Sequence, residues 1–128
     1  MKAIKTTIDS SVYYLFYNAE AMFELEERIE SDSLVDALLT NSREGFENTL
    51  TAAAVLIEQG ELARRASGYD VGAYLNVDTL RQTLTPAGLA DLRRDIIDAM
   101  CLGVGQTVEQ RDDDVVDLGL AEAEKKTN

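Results

Sequence analysis

The alternation of apolar and polar positions divides the chain into a short β-prone opening, a series of amphipathic helices and a polar end. Lys2 to Ile8 is rich in β-branched residues, and Val12 to Tyr17 reads Val-Tyr-Tyr-Leu-Phe-Tyr. The polar tripeptide Asp9-Ser10-Ser11 between them suits a turn. The two runs therefore predict a β-hairpin over about 2–17. The turn lacks the glycine that tight hairpins favour, which predicts a longer or irregular connection. The second run is nearly all apolar or aromatic, so both its faces should be partly covered. The same run also reads as the start of the helix that follows. A lone hairpin is marginal in water, and helices are the only packing partners the rest of the chain offers.

Five helices follow from 3,4 spacing and from capping residues. Asn18 is an N-cap with Glu20 in the first turn, and Met22, Leu25 and Ile29 form the apolar stripe of a helix over about 19–30. Ser31 or Ser33 starts a short second helix over 33–40, with Leu34, Val35, Leu38 and Leu39 on its apolar face. Asn41-Ser42-Arg43-Glu44 resembles a capping box, Asn41 answered by Glu44. It opens the longest helix, 42–67, with Phe46, Leu50, Ala53 and Ile57 in register. Gly60 is a weak point there, costing about 1 kcal/mol against alanine, and Gly68 is a natural stop. Asn76 or Asp78 caps a helix over 77–84. Thr85-Pro86 starts the last helix, 86–104, which carries Leu89, Leu92, Ile96, Met100 and Val104. Gly103 and Gly105 loosen its end.

The fold expectation is mainly α: an N-terminal β-hairpin packed on a bundle of about five helices, forming one globular domain over 1–108. Such a body buries enough apolar surface to fold without staples. From Glu109 to Asn128 there are seven acids and three bases. Its sizeable apolar residues are Val115, Val116, Leu118 and Leu120. Low hydrophobicity and high charge predict a flexible acidic tail over 109–128. The Val-Val-x-Leu-x-Leu pattern makes it a candidate for ordering on a partner.

Composition narrows the chemistry. The 128 residues carry 24 acids, 12 bases and no histidine, a formal net charge of −12. That argues against binding a nucleic-acid backbone, which needs a positive footprint. The missing histidine removes the commonest general base and metal ligand. The single cysteine, Cys101, allows neither an internal disulfide nor a cysteine-only zinc site. No apolar run approaches the roughly 20 residues of a membrane span. These features describe a small acidic intracellular protein that is not an enzyme and needs no cofactor.

Each candidate site has a plainer role. Asp112-Asp113-Asp114 has the carboxylates for a hard cation but not the spacing of an EF-hand, and reads as solvated tail. Cys101, between Met100 and Leu102, lacks a neighbouring base and reads as an inert half-buried thiol. Gly103-Val104-Gly105 lacks the third glycine of a dinucleotide fingerprint and reads as a helix end. Carboxylate pairs such as Glu26-Glu27 and Asp95-Asp98 read as a solvated face. Arg64-Arg65 and Arg93-Arg94 read first as surface pairs and second as contacts for an acidic partner. The tyrosine-rich strand reads as packing, with strand addition at an exposed edge as the alternative.

The segment Val12-Tyr-Tyr-Leu-Phe-Tyr-Asn-Ala-Glu-Ala-Met-Phe-Glu-Leu-Glu-Glu-Arg-Ile29 resembles the opening of small proteins encoded in the tail-gene region of phages and prophages. Arg43-Glu-Gly-Phe46, Ala52-Ala-Ala-Val-Leu-Ile-Glu-Gln-Gly-Glu-Leu-Ala-Arg-Arg65, Gly68-Tyr-Asp70 and Val116-Asp-Leu-Gly-Leu-Ala-Glu122 are similar in the same set. The group is the tail assembly chaperones of long flexible-tailed phages. The resemblance implies a non-catalytic protein of the host cell cytoplasm, absent from the mature virion. It would bind the tape measure protein, assist assembly of the tail tube protein and self-associate. Glu124-Lys125-Lys126 would suit a ribosomal frameshift that extends part of the product. The candidate contact residues are Leu50, Ala53, Ala54 and Ile57 on the long helix, with Val115, Val116, Leu118 and Leu120 in the tail. Two other readings stand beside this one: a structural tail or head–tail connector component, and a small acidic regulatory adapter.

Overall fold

The computed structural model of the chain describes residues 1–70, 72, 75–108 and 113–119. Strand β1 (Lys2–Ile8) and strand β2 (Ser11–Leu15) form the expected hairpin, with Ile4 opposite Leu15 and Ile8 opposite Ser11. The turn is a tight two-residue one, not a longer loop. Asp9 and Ser10 both take positive φ, 51° and 69°. Two left-handed residues match the strand twist, and aspartate tolerates that region through local hydrogen bonding.

Five helices follow: α1 (Ala19–Arg28), α2 (Leu34–Leu39), α3 (Arg43–Ala66), α4 (Val77–Thr83) and α5 (Pro86–Gly103). Their starts are local chemistry. The side chains of Asn18, Ser33, Asn76 and Thr85 accept from the backbone N–H groups of Ala21, Asp36, Thr79 and Gly88. At α3 the cap is Ser42, which accepts from Gly45 N–H, and not Asn41. Two helices stop alike. Gly68, with φ 93°, lets Tyr69 N–H reach the Arg64 carbonyl while its own N–H reaches Arg65. Gly105, with φ 88°, does the same for Gln106 to Cys101 and for itself to Leu102. Both are Schellman ends.

The sheet has a third strand. Strand β3 (Val115–Asp117) pairs antiparallel with β1, giving the order β2-β1-β3. This corrects the assignment of everything past residue 108 to a flexible tail. Val115 packs against the main core, and Val116 packs on a second apolar cluster formed by Ala3, Ala63 and the 3 % exposed Leu118. A β1 edge and an apolar seat were waiting for that segment, so its charge did not decide its fate. The expectations for 109–112 and 120–128 lie outside the described residues.

The main core gathers Ile4, Leu15, Leu25, Leu38, Leu56 and Ile96 from the two hairpin strands and four of the helices. Helix α5 packs on β1 and α3 on β2. Gly60 is where α3 meets the sheet: a Cβ there would overlap the Tyr14 carbonyl. The approach lets Phe16 N–H donate to the Leu56 carbonyl at 3.1 Å. Helix α3 thereby packs against the end of β2 and bonds to the residue that follows it. The glycine expected to weaken the helix is what lets the two elements touch.

Candidate docking surfaces

The sequence-derived contact residues on α3 are mostly core. Leu50 and Ala53 are fully buried and Ile57 is 7 % exposed; only Ala54 of the four is half-buried. Leu118 is also buried, Val115 and Val116 are half-buried within β3, and Leu120 lies outside the described residues. Leu50, Ala53, Ile57 and Leu118 are therefore corrected from partner contacts to packing. The physical reason is that α3 is surrounded: α1, α2, α5 and β2 all pack on it. A central helix has no exposed apolar stripe to offer.

The apolar surface left open lies elsewhere. Between α2 and α5 is a shallow groove lined by Leu39, Ala90, Arg93, Arg94, Ile97 and Asp98. Leu39 is 52 % exposed, although it closes the apolar face of α2. Ile97 is half-buried on the groove floor. The two arginines differ in kind. Arg93 turns inward, its Nε donating to Thr49 Oγ1 at 3.2 Å and its Nη2 to the Thr40 carbonyl at 3.5 Å, so it ties α5 to the α2–α3 junction. Arg94 is 65 % exposed and meets Asp91 and Asp95 only at 3.9 and 4.0 Å. Such pairs contribute little, so its charge stays available on the rim. The sequence counts Leu39 in the apolar face of α2, and only the packing shows that α2 buries Ala37 and Leu38 and leaves Leu39 outside.

The other basic pair is committed within the fold. Arg64 Nη1 donates to Glu61 Oε2 at 3.0 Å, and its guanidinium lies 4.9 Å from the Tyr14 ring and 5.0 Å from the Tyr69 ring. This is a cation–π arrangement on two aromatic neighbours. Glu61 Oε1 also accepts from Arg65 Nε at 3.2 Å and Gly72 N–H at 2.6 Å. Burial works to raise the Glu61 pKa, but the bonds from Gly72, Arg64 and Arg65 outweigh it and hold the carboxyl below the usual glutamate range. On α3's other side, Glu47 receives Arg81 Nε and Nη2, both at 3.0 Å, and these bonds lower its pKa. These clusters fasten Gly72 and α4 to α3.

The assignment of Asp95 to a solvated face is corrected: of the described carboxylates it is the one the fold buries. It is 8 % exposed and its Oδ2 accepts from Thr6 Oγ1 at 2.8 Å, joining α5 to β1. Its place three residues after Leu92 and four before Ala99 already puts it on the buried stripe. Asp113 is exposed and Asp114 half-buried, while Asp112 lies outside the described residues. Among the described residues no three potential ligands converge as a metal site, and no helix is long and apolar enough to cross a membrane. Cys101 is half-buried on α5. A second hollow, beside the hairpin turn, is lined by Ile8, Tyr13, Leu75 and Leu80 with polar neighbours.

No family model matches this chain, and no curated protein or solved structure matches it either.

Proposed function

We propose that the chain is a phage or prophage tail assembly chaperone, acting in the host cytoplasm by holding the tape measure protein and assisting the tail tube protein. The resemblance of 12–29, 43–65, 68–70 and 116–122 to that group supports the assignment. The observation that carries the binding mode is the α2–α5 groove, where half-exposed Leu39 stands beside Ile97 and the exposed guanidinium of Arg94, which is held only loosely by Asp91 and Asp95. A helical partner presents apolar residues three and four apart, which suit a groove of this kind. An acidic residue beside them would meet Arg94. The function is therefore binding by surface, with no covalent step.

Co-expression with a fragment of the tape measure protein tests the proposal. The fragment should be markedly more soluble with this chain present, and a Leu39→Asp variant should lose that benefit while keeping its own helical spectrum. Equal solubility with and without the chain defeats the reading. Mass spectrometry of purified particles separates it from a structural tail component, since a chaperone leaves no peptide there.

A further inference from the structure

We propose that Arg93 is the positioning residue of the α2–α5 groove: it fixes where α2 stands relative to α5 and so holds the groove at one width, while its neighbour Arg94 is left to meet the partner. The inference rests on the reading of that groove as the docking surface, and adds which side chain builds the surface and which one touches what docks there.

Helix α2 has six residues, too few to hold itself in water. It buries only Ala37 and Leu38, so the carbonyls at its C-terminal end carry much of its attachment. Asn48 Nδ2 of α3 donates to the Ala37 carbonyl at 3.2 Å. Ser42 N–H donates to the Thr40 carbonyl at 2.9 Å, and Arg93 Nη2 reaches the same oxygen at 3.5 Å. Of these three donors Arg93 is the one that comes from α5, across the groove. Its cation also meets the negative end of the α2 dipole. Leu39 directly precedes Thr40, so fixing Thr40 also places the exposed leucine.

The guanidinium is itself anchored. Nε donates to Thr49 Oγ1 at 3.2 Å, and that hydroxyl gives its own proton to the Gly45 carbonyl at 2.8 Å. Thr49 is fully buried in α3, so the link is held from beneath. Gly45 leaves room for the joint: a Cβ there would overlap the Thr40 carbonyl and come within 3.3 Å of Arg93 Nη2. Arg93 thus connects α5, α3 and the end of α2 while also lining the groove. A lysine keeps the charge but lacks the planar fork that serves two oxygens at once. A wall set in place before binding has less freedom to lose when a partner arrives.

Two spin labels read the groove width directly. They sit at Val35→Cys on α2 and Ala87→Cys on α5, exposed positions outside the groove lining, in the full chain with Cys101→Ala. The parent should give one narrow distance distribution. Arg93→Met, which keeps the aliphatic stem, should broaden it, and Thr49→Val, which keeps the shape and removes the acceptor, should broaden it too. The two together should do no more than either, because both cut one link. Arg93→Lys should recover the width in part, and Arg94→Met should leave it unchanged. A distribution as narrow in Arg93→Met as in the parent overturns the proposal, as does equal broadening by Arg94→Met; where Arg93→Met does not fold, Thr49→Val decides by the same criterion. A tape measure fragment supplies the second readout. It should bind the Arg93→Met chain about ten-fold more weakly than the parent and narrow its distribution again. Equal affinity for both chains overturns the proposal. A fragment that binds neither chain defeats the docking reading, and the distances alone then decide whether Arg93 sets the groove.

Discussion

Ser10 holds a backbone conformation that suits glycine better. Its φ of 69° follows the 51° of Asp9 in a two-residue turn, and left-handed geometry costs a non-glycine residue about 1–2 kcal/mol. Ser10→Gly relieves that cost at the expense of unfolded-state entropy. The variant should gain about 0.5–1 kcal/mol, read as a raised midpoint in urea unfolding. Glu61 is the second such position. Its carboxyl is charged more readily in the folded chain than in the unfolded one, because Gly72, Arg64 and Arg65 all donate to it against the effect of burial. A lowered carboxylate pKa adds stability that is present above the unfolded value and lost as pH falls through the folded one. Glu61→Gln should therefore lower stability at neutral pH and flatten the decline expected below about pH 5. Urea midpoints measured across that range check the sign. Tyr17 works in the opposite direction: burial first and Glu26 second raise its pKa, so its contribution fades only in alkali.

Helix boundaries were legible because capping is local. Asn18, Ser33, Asn76 and Thr85 each act on a backbone N–H three residues ahead, and the pattern of 3,4 spacing needs no knowledge of neighbours. Ser42 displaced Asn41 at α3 by one position, within the usual uncertainty of a helix end. Gly60 shows where local reasoning stops. Propensity says that alanine there adds about 1 kcal/mol of helix stability. The structure places the Tyr14 carbonyl where the new methyl would go. Overpacking of this kind costs about 1–3 kcal/mol, and it also pushes Phe16 N–H away from the Leu56 carbonyl. Gly60→Ala should therefore destabilise the protein despite being the better helix former, and denaturant unfolding would show a net loss of about 1–2 kcal/mol. Gly45 stands in the same relation to the Thr40 carbonyl at the α2–α3 junction.

Strand β3 brings together residues far apart in the chain. Leu118 is buried against Ala3 and Ala63, both far from it in the sequence. Leu118→Ala should cost about 2–3 kcal/mol, as for a buried leucine. A flexible tail would give no change, so thermal unfolding of this variant separates the two pictures. The candidate surface was lost to the sequence for the same reason that β3 was. Leu50, Ala53 and Ile57 look like an available stripe until α1, α2, α5 and β2 are seen to surround α3. Leu39 looks like core until α2 and α5 are seen to leave a groove beside it.

The mainly α class, the hairpin and the five helices were readable from residue order alone, because periodicity, capping and turn chemistry act over three or four residues. Which apolar faces are covered, why Gly60 must be glycine, and where 114–118 comes to rest were decided by tertiary packing. Those outcomes depend on contacts between residues far apart in the chain, and burial is shared between elements: no single stretch of sequence carries the identity of its own neighbours.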